Sequence, residues 1–479
     1  MCRVAARVLR VVTADGQVQL VVSCPLVVPF SLCREDNEIS RKMSFPLVLH
    51  LVMSKKYKIC KLRCAKHIFA DPYSCSHKFQ KTALMESLYQ KYEMLLDTTP
   101  TTFRRYLYDR IAWSSRMIGI TGPRGVGKTT TVLQYIKENV DQKKALYITA
   151  DDLFFSENRL IDVADSFSKH AGEYLVIDEI HKYYDWSREL KNIYDFYPNL
   201  KIIFTGSSVL DIRKGVADLS RRAILYSMQG LSFREYLNFF HQYSIEVHSL
   251  EQIVSNEIRC KKVAHPLLLF RDYLRRGYYP FGKEEELGIR LDQIILQTLE
   301  TDIPQYANLR VTTARKLKHL LSIIAESVPF KPNLSKISEM IGVSRNSLDD
   351  YLTYMERAGL IAQLRTDTGG IRGLGKVDKV YLDNTNIMFS LVGERADVGT
   401  IRETFFFNQM RVHHSIRSSK KVDFSVGNYR FEIGGKNKRR NRGDAIGAGS
   451  SDIKTFIVRD DIETGALQVL PLWAFGLTY

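Results

Sequence analysis

Eight consecutive residues, Gly122-Pro123-Arg124-Gly125-Val126-Gly127-Lys128-Thr129, satisfy every fixed position of the pattern G-x-x-x-x-G-K-[ST]. Glycines at these places let successive backbone N–H groups turn inward around a polyphosphate. The lysine can reach its β- and γ-oxygens, and the threonine hydroxyl can ligate Mg2+. The candidate cradle runs through Thr130, with Lys128 on the phosphates and Thr129 on the metal. About fifty residues further on, Tyr174-Leu175-Val176-Ile177-Asp178-Glu179 is an apolar run ending in two adjacent carboxylates. It reads as a buried parallel strand with acids at its carboxyl end, where open α/β sheets place their chemistry. Asp178 would hold Mg2+ through water, and Glu179 would orient and deprotonate an attacking water. An acid pair at a strand end is often only a solvated turn, but after a phosphate-loop pattern at this distance the chemical reading is favoured.

These residues need a sheet to bring them together. Met117 to Thr121 supplies the strand before the loop, and the segment after it has helical character. Lys144 to Thr149 should pair in the same sheet, as should the strand beginning at Lys201 and ending in Gly206-Ser207-Ser208. Ser207 or Ser208 could sense the γ-phosphate; a serine-rich turn closing a strand is the alternative. Arg221 and Arg222 precede a further apolar stretch, Ala223 to Met228. A guanidinium here could serve as an arginine finger on a neighbouring subunit's nucleotide, or could be a solvated surface group.

The order GPRGVGKTT, YLVIDEIH, IIFTGSS and RRAILYSMQGLSFREYL resembles the AAA+-type ATPases of prokaryotes related to the signalling P-loop NTPases. Those proteins often carry a C-terminal domain of restriction-endonuclease-like fold. The resemblance runs from about Met85 to the C-terminus, and the segments Phe270 to Pro280 and Pro471 to Gly476 agree with it. It implies ATP as the nucleotide, Mg2+ beside it, nucleotide and metal roles for Lys128, Thr129, Asp178 and Glu179, and Arg222 as the better finger. A homo-oligomer is the corresponding expectation for partners. With the helical patterns that follow the ATPase motifs, the expected fold class is α/β: a P-loop NTPase parallel sheet with a helical lid, then a winged-helix-like module and a small α/β restriction-endonuclease-like domain.

Of 479 residues, 45% are hydrophobic and 25% charged, ordinary values for a globular chain with room for several domains. No apolar run approaches the ~20 residues of a membrane helix, and no secretory layout opens the chain, so the expectation is no membrane partner and a cytoplasmic location. Six of the seven cysteines precede Met85. Residues 1–84 also hold 14 Lys and Arg against 5 Asp and Glu, a net +9 of the total +16. This segment reads as an atypical extension outside the native protein, whose natural start would be Met85. Cys60, Cys64, His67, Cys75 and His77 match no regular zinc spacing. In the remainder, the stretch from Arg411 to Arg442 carries ten basic and two acidic residues, which would focus any attraction for DNA on the C-terminal region.

The expected organisation is an ATPase core over 85–230, a helical lid over 231–305, a winged-helix-like module over 306–366 and the nuclease-like domain over 376–479. Ser232 and Glu235 have capping-box spacing. Arg271, Arg275 and Arg276 are equivalent guesses for a lid arginine. Leu334 to Ser344 and Asn346 to Ile361 read as a helix, a glycine turn, a serine cap and a longer helix, whose Arg345 and Arg357 are offset by Asp349, Asp350 and Glu356. Asp423 in a strand from Val422 to Val426, Glu432 in the next strand and Lys436 beyond resemble a restriction-type site, with Glu403 on a helix from Ile401 to Val412. The lysine lies two residues past the expected Glu-x-Lys spacing, a displacement of ~6–7 Å in extended chain. A half-buried hairpin with a solvated basic loop from Lys436 to Arg442 is the plainer alternative for these residues. The primary expectation is a Mg2+-dependent ATPase switch whose nucleotide state controls a C-terminal nucleic-acid-binding domain, with cleavage by that domain left open. An ATP-gated nuclease and an ATP-dependent assembly platform are the rivals.

Overall fold

The computed structural model describes residues 7–12, 18–23, 30–33 and 72–479, apart from 207–218, 259–262, 308, 310, 328–332, 367–376, 420 and 436–452. The chain divides into two units, Met1–Leu84 and Met85–Tyr479. In the first, β1 (Arg7–Val12), β2 (Val18–Ser23) and β3 (Phe30–Cys33) form an antiparallel sheet in that order. Helix α1 (Pro72–Thr98) crosses the boundary in sequence. From Met85 onward its Leu88, Tyr92 and Leu96 are buried.

The second unit begins with a five-stranded, wholly parallel sheet. Its strands are β4 (Met117–Thr121), β5 (Ala145–Thr149), β6 (Tyr174–Asp178), β7 (Lys201–Gly206) and β8 (Ile224–Ser227), in the spatial order β5-β6-β7-β4-β8. Apolar runs without polar alternation are what a sheet covered on both faces requires. Thr121, Asp178 and Gly206 all end their strands on one side of the sheet, and the phosphate-loop pattern leaves β4 there. Between the strands run α2 (Lys128–Asn139), α3 (Leu160–Lys169) and α4 (Trp186–Phe196). Strand β7 separates β6 from β4, so a β7 side chain can reach the acid at the end of β6.

The rest of this unit is mainly helical, then mixed. Helix α5 (Phe233–His241) opens with the capping box expected from its sequence, Ser232 accepting from Glu235 N and Glu235 from Ser232 N. Then follow α6 (Leu250–Val254), α7 (Pro266–Arg276), α8 (Leu287–Gln297), a π-helical turn at Thr298–Asp302, α9 (Ile303–Ala307) and α10 (Val311–Ser327). Helices α11 (Leu334–Ile341) and α12 (Arg345–Arg357) flank Gly342, whose φ of 66° suits glycine, and Ser344 caps α12. An antiparallel pair, β9 (Ile361–Arg365) and β10 (Val377–Leu382), comes next, then α13 (Thr385–Val392) and α14 (Val398–Met410).

The chain ends in a mixed sheet of β11 (Ile416–Arg417), β12 (Phe424–Val426), β13 (Tyr429–Gly434), β14 (Lys454–Arg459) and β15 (Val469–Pro471), in that order. Strand β12 is antiparallel to both β11 and β13, and β13, β14 and β15 are parallel. Among the described residues, buried apolar side chains form two clusters. One lies around the parallel sheet. The other draws its residues from between Phe233 and Leu477, although Tyr278, Tyr279 and Leu291 belong to the first.

Candidate nucleotide site

The loop after β4 has the backbone its glycines were expected to permit. Gly125 and Gly127 have φ of 76° and 98°, and Gly127 is the N-cap of α2, so the loop delivers the chain directly into a helix N-terminus. A Cβ at Gly122 would lie 2.1 Å from Met228 O, so no larger residue could pass there without displacing backbone. Lys128, 5% exposed, donates to Gly122 O at 2.9 Å and Pro123 O at 2.7 Å. Burial pulls its ammonium down to about 8, an effect opposed by Glu179 and Asp178.

Asp178 is the centre of the arrangement. Thr129 and Tyr147 each donate a hydroxyl to its Oδ2 at 2.6 Å, Thr205 donates to Oδ1, and Glu179 N donates to Oδ1 at 3.1 Å. All four donors are neutral. They fix the carboxylate without cancelling its charge, which is the condition for presenting it to a cation. The structure thus brings Thr129 and Asp178 into direct contact. Thr205 and Tyr147 were not anticipated, because they come from different strands and are set by sheet order. A threonine one residue before the end of β7 was the only sequence signal for the first.

Glu179 follows with φ 49° and ψ 39°, a left-handed conformation that costs a non-glycine residue about 1–2 kcal/mol. This turn takes its side chain out of the strand's alternation. Its Oε2 lies 3.4 Å from His181 Nε2. Burial, reinforced by Lys182 and opposed by Asp302, holds the His181 imidazole down to about 4, so it is neutral around pH 7.

Two arginines, Arg105 buried and Arg124 partly buried, tie the loop to its surroundings. Arg105, 5% exposed, donates to Glu235 Oε1 at 3.0 Å, to Gln229 O at 2.7 Å and to Val126 O. Arg124 donates through Nε and Nη2 to the two oxygens of Asp302, both at 3.0 Å. Neither Arg105 nor Asp302 carries a motif that would single it out in the sequence.

The remaining candidates lie elsewhere. The pairing of Ile118 with Ile224 places Arg222 level with Arg116, at the end of the sheet away from Gly122. That separation is six residues of strand, roughly 20 Å. Arg222 donates to both oxygens of Asp195 at 2.9 Å. Arg275 pairs with Glu394 and Arg276 with Asp272. Ser207, Ser208 and Lys436 lie outside the described residues.

In the C-terminal sheet, β12 starts at Phe424 rather than Val422, because the Asp423 side chain accepts from Ile433 N at 2.9 Å, where a further ladder rung would form. The helix expected over Ile401 to Val412 is Val398–Met410 and carries Glu403. Continuing the β12–β13 register sets Asp423 across from Glu432. Lys379 of β10 lies 3.3 Å from Glu403 Oε2 and 3.6 Å from Asp423 Oδ1, and Tyr381 donates to Glu403 Oε2 at 2.6 Å. Among the described residues no group of three or more His, Cys, Asp or Glu could hold a metal ion. Nor, among them, is any helix long and apolar enough to cross a membrane.

Residues 114–237 match the AAA domain family, and residues 267–397 match a domain of unknown function, DUF8612; neither match passes residue 397. An uncharacterized protein of Methanocaldococcus jannaschii is 28% identical over 293 residues, covering 57% of this chain and 60% of that protein. Among solved structures, a Walker-type ATPase of Pyrococcus abyssi is similar with TM-score 0.36 and 15% identity, over 62% of this chain and 99% of its own. DnaA of Aquifex aeolicus, solved bound to AMPPCP, is similar with TM-score 0.20 and 14% identity, over 56% of this chain and 86% of its own. The AAA domain match, falling on the segment that holds Lys128, Thr129, Asp178 and Glu179, supports an AAA-type P-loop ATPase and nucleotide binding.

Proposed function

We propose that this chain is a Mg2+-dependent switch that binds and hydrolyses ATP, and that its nucleotide state governs a C-terminal module that binds nucleic acid without cutting it. The observation that carries the first half is the contact of Thr129 with Asp178, one residue before Glu179 and within the same buried site as Lys128. Thr129 and Asp178 would hold the metal, consistent with a carboxylate whose four donors are all neutral. When bound, Mg2+ supplies neutralisation of charge on the β- and γ-oxygens. Lys128 binds and orients the phosphates, and Glu179 holds an attacking water and takes its proton. Arg222 would act only on a second copy's nucleotide, since it lies at the other end of its own sheet.

The second half rests on the C-terminal elements. Helices α10, α11 and α12 followed by the β9–β10 hairpin are compatible with a winged-helix module, and the mixed sheet with α14 beside it is compatible with a restriction-endonuclease-like fold. The Lys379 ammonium between Glu403 and Asp423 favours a module that no longer cleaves, because the acids that would gather a metal already share a cation. The test is ATP turnover by the full chain, with and without duplex and single-stranded DNA, beside Lys128→Ala. Turnover that depends on Lys128 and rises with DNA is expected. Turnover indifferent to Lys128 would overturn the ATPase assignment, and Lys128-dependent turnover indifferent to DNA would turn the second half toward a protein partner.

A further inference from the structure

Three successive residues of the phosphate loop are each touched by the body that follows the parallel sheet. Pro123 Cγ lies where a Cβ on Gly359, just beyond α12, would be 2.8 Å away. Arg124 is held by both oxygens of Asp302. A Cβ on Gly125 would meet the Phe281 ring at 2.5 Å. Of these contacts only the middle one is between charges, and it alone has chemistry that competes with a nucleotide. A polyphosphate offers Arg124 several anionic oxygens where Asp302 offers two.

The setting of Asp302 makes that competition consequential. It ends the π-helical turn Thr298–Asp302, a geometry that recurs at functional sites, and it is 4% exposed. Its other cation, the Lys182 ammonium, is at 4.0 Å. If Arg124 moved to phosphate, a buried carboxylate would lose both of its short bonds, which a protein interior does not tolerate without rearranging. Leu299 and Ile303, on either side of Asp302 in the same turn of chain, are fully buried in the second apolar cluster. Displacing Asp302 therefore displaces that cluster's edge.

We propose that the Arg124–Asp302 pair is a latch. Asp302 holds Arg124 off the nucleotide, phosphate draws it away, and the π-helical turn relays the release to the helices beyond. Asp302 is in this sense a positioning residue. The proposal rests on the nucleotide reading above and names how that site would communicate.

Reciprocity fixes the test. If nucleotide breaks the latch, a broken latch must favour nucleotide, and couplings of this kind are typically ~5–150-fold. Binding of ATP with Mg2+ and amide hydrogen exchange over residues 298–305 would be measured on the full chain, Asp302→Asn and Arg124→Gln. Wild type should bind in a Lys128-dependent way and exchange faster at 298–305 when ATP is present. Asp302→Asn should bind ATP roughly tenfold more tightly, with exchange already fast and no longer responsive to ATP. Arg124→Gln should also uncouple the exchange, without the gain in affinity. Unchanged or weaker binding by Asp302→Asn, or exchange that responds to ATP as in wild type, would overturn the latch while leaving the ATP site standing. Wild type without Lys128-dependent binding would remove the nucleotide reading itself, and the latch with it.

Discussion

Two clusters of carboxylates in this chain are held in opposite ways. At the end of β6, Asp178 accepts only from hydroxyls and a backbone amide. Beside β10, Glu403 and Asp423 share one lysine, Lys379, whose side chain is 13% exposed. Neutral donors fix a carboxylate's position and leave its charge available, whereas a neighbouring ammonium spends that charge inside the chain. Acid residues alone therefore do not identify a metal site. What surrounds them decides whether they can receive a cation.

The comparison can be broken most sharply at Glu179. Glu179→Gln should keep ATP binding and lose roughly a hundredfold or more in turnover, as expected for removal of a general base. Single-turnover kinetics equal to wild type would remove Glu179 from its role. On the other side, Lys379→Met should leave Glu403 and Asp423 without their cation and destabilise the chain by about 2–3 kcal/mol. Denaturant titration would read this, and added Mg2+ should then raise the midpoint of the variant but not of wild type. A variant indifferent to Mg2+ would mean that the two acids cannot cooperate on a metal even when freed.

A pH series sharpens the first cluster. The ammonium of Lys128 sits near 8 before nucleotide binds, and phosphate favours its charged form. Binding therefore takes up a proton once the pH exceeds about 8, and affinity should fall as pH rises through that value, by at most roughly tenfold per unit. Calorimetry in two buffers of different ionisation heat would show the uptake, and its absence at pH 9 would contradict the assignment. The smallest effect on stability is expected at Arg222, whose pair with Asp195 is a surface contact. Arg222→Ala should leave the unfolding midpoint unmoved while lowering turnover only at concentrations where copies associate. A loss of turnover that does not vary with chain concentration would rule out action on a second copy.

Much of the candidate nucleotide site was legible because its chemistry is local. The phosphate cradle needs its glycines, lysine and threonine within eight residues, and a strand ending in Asp178 and Glu179 announces itself by composition. The Ser232–Glu235 capping box and the Ser344 cap are legible for the same reason, since each is closed by residues three apart. At the C-terminal cluster the sequence suggested carboxylates and Lys436, while Lys379, which the fold sets between Glu403 and Asp423, lies in a strand of a different sheet.

By itself the sequence determined the parallel strands, the loop and the acid pair, because hydrophobic run length and backbone-encoded phosphate geometry are properties of neighbours in the chain. Only the tertiary structure decided that Thr205 of β7 would reach Asp178, that Arg222 would lie at the far end of its own sheet, and that Asp302 would close on Arg124 across 178 residues. Those outcomes depend on strand order, on register and on the packing of a second apolar cluster against the phosphate loop, none of which is encoded by any local stretch.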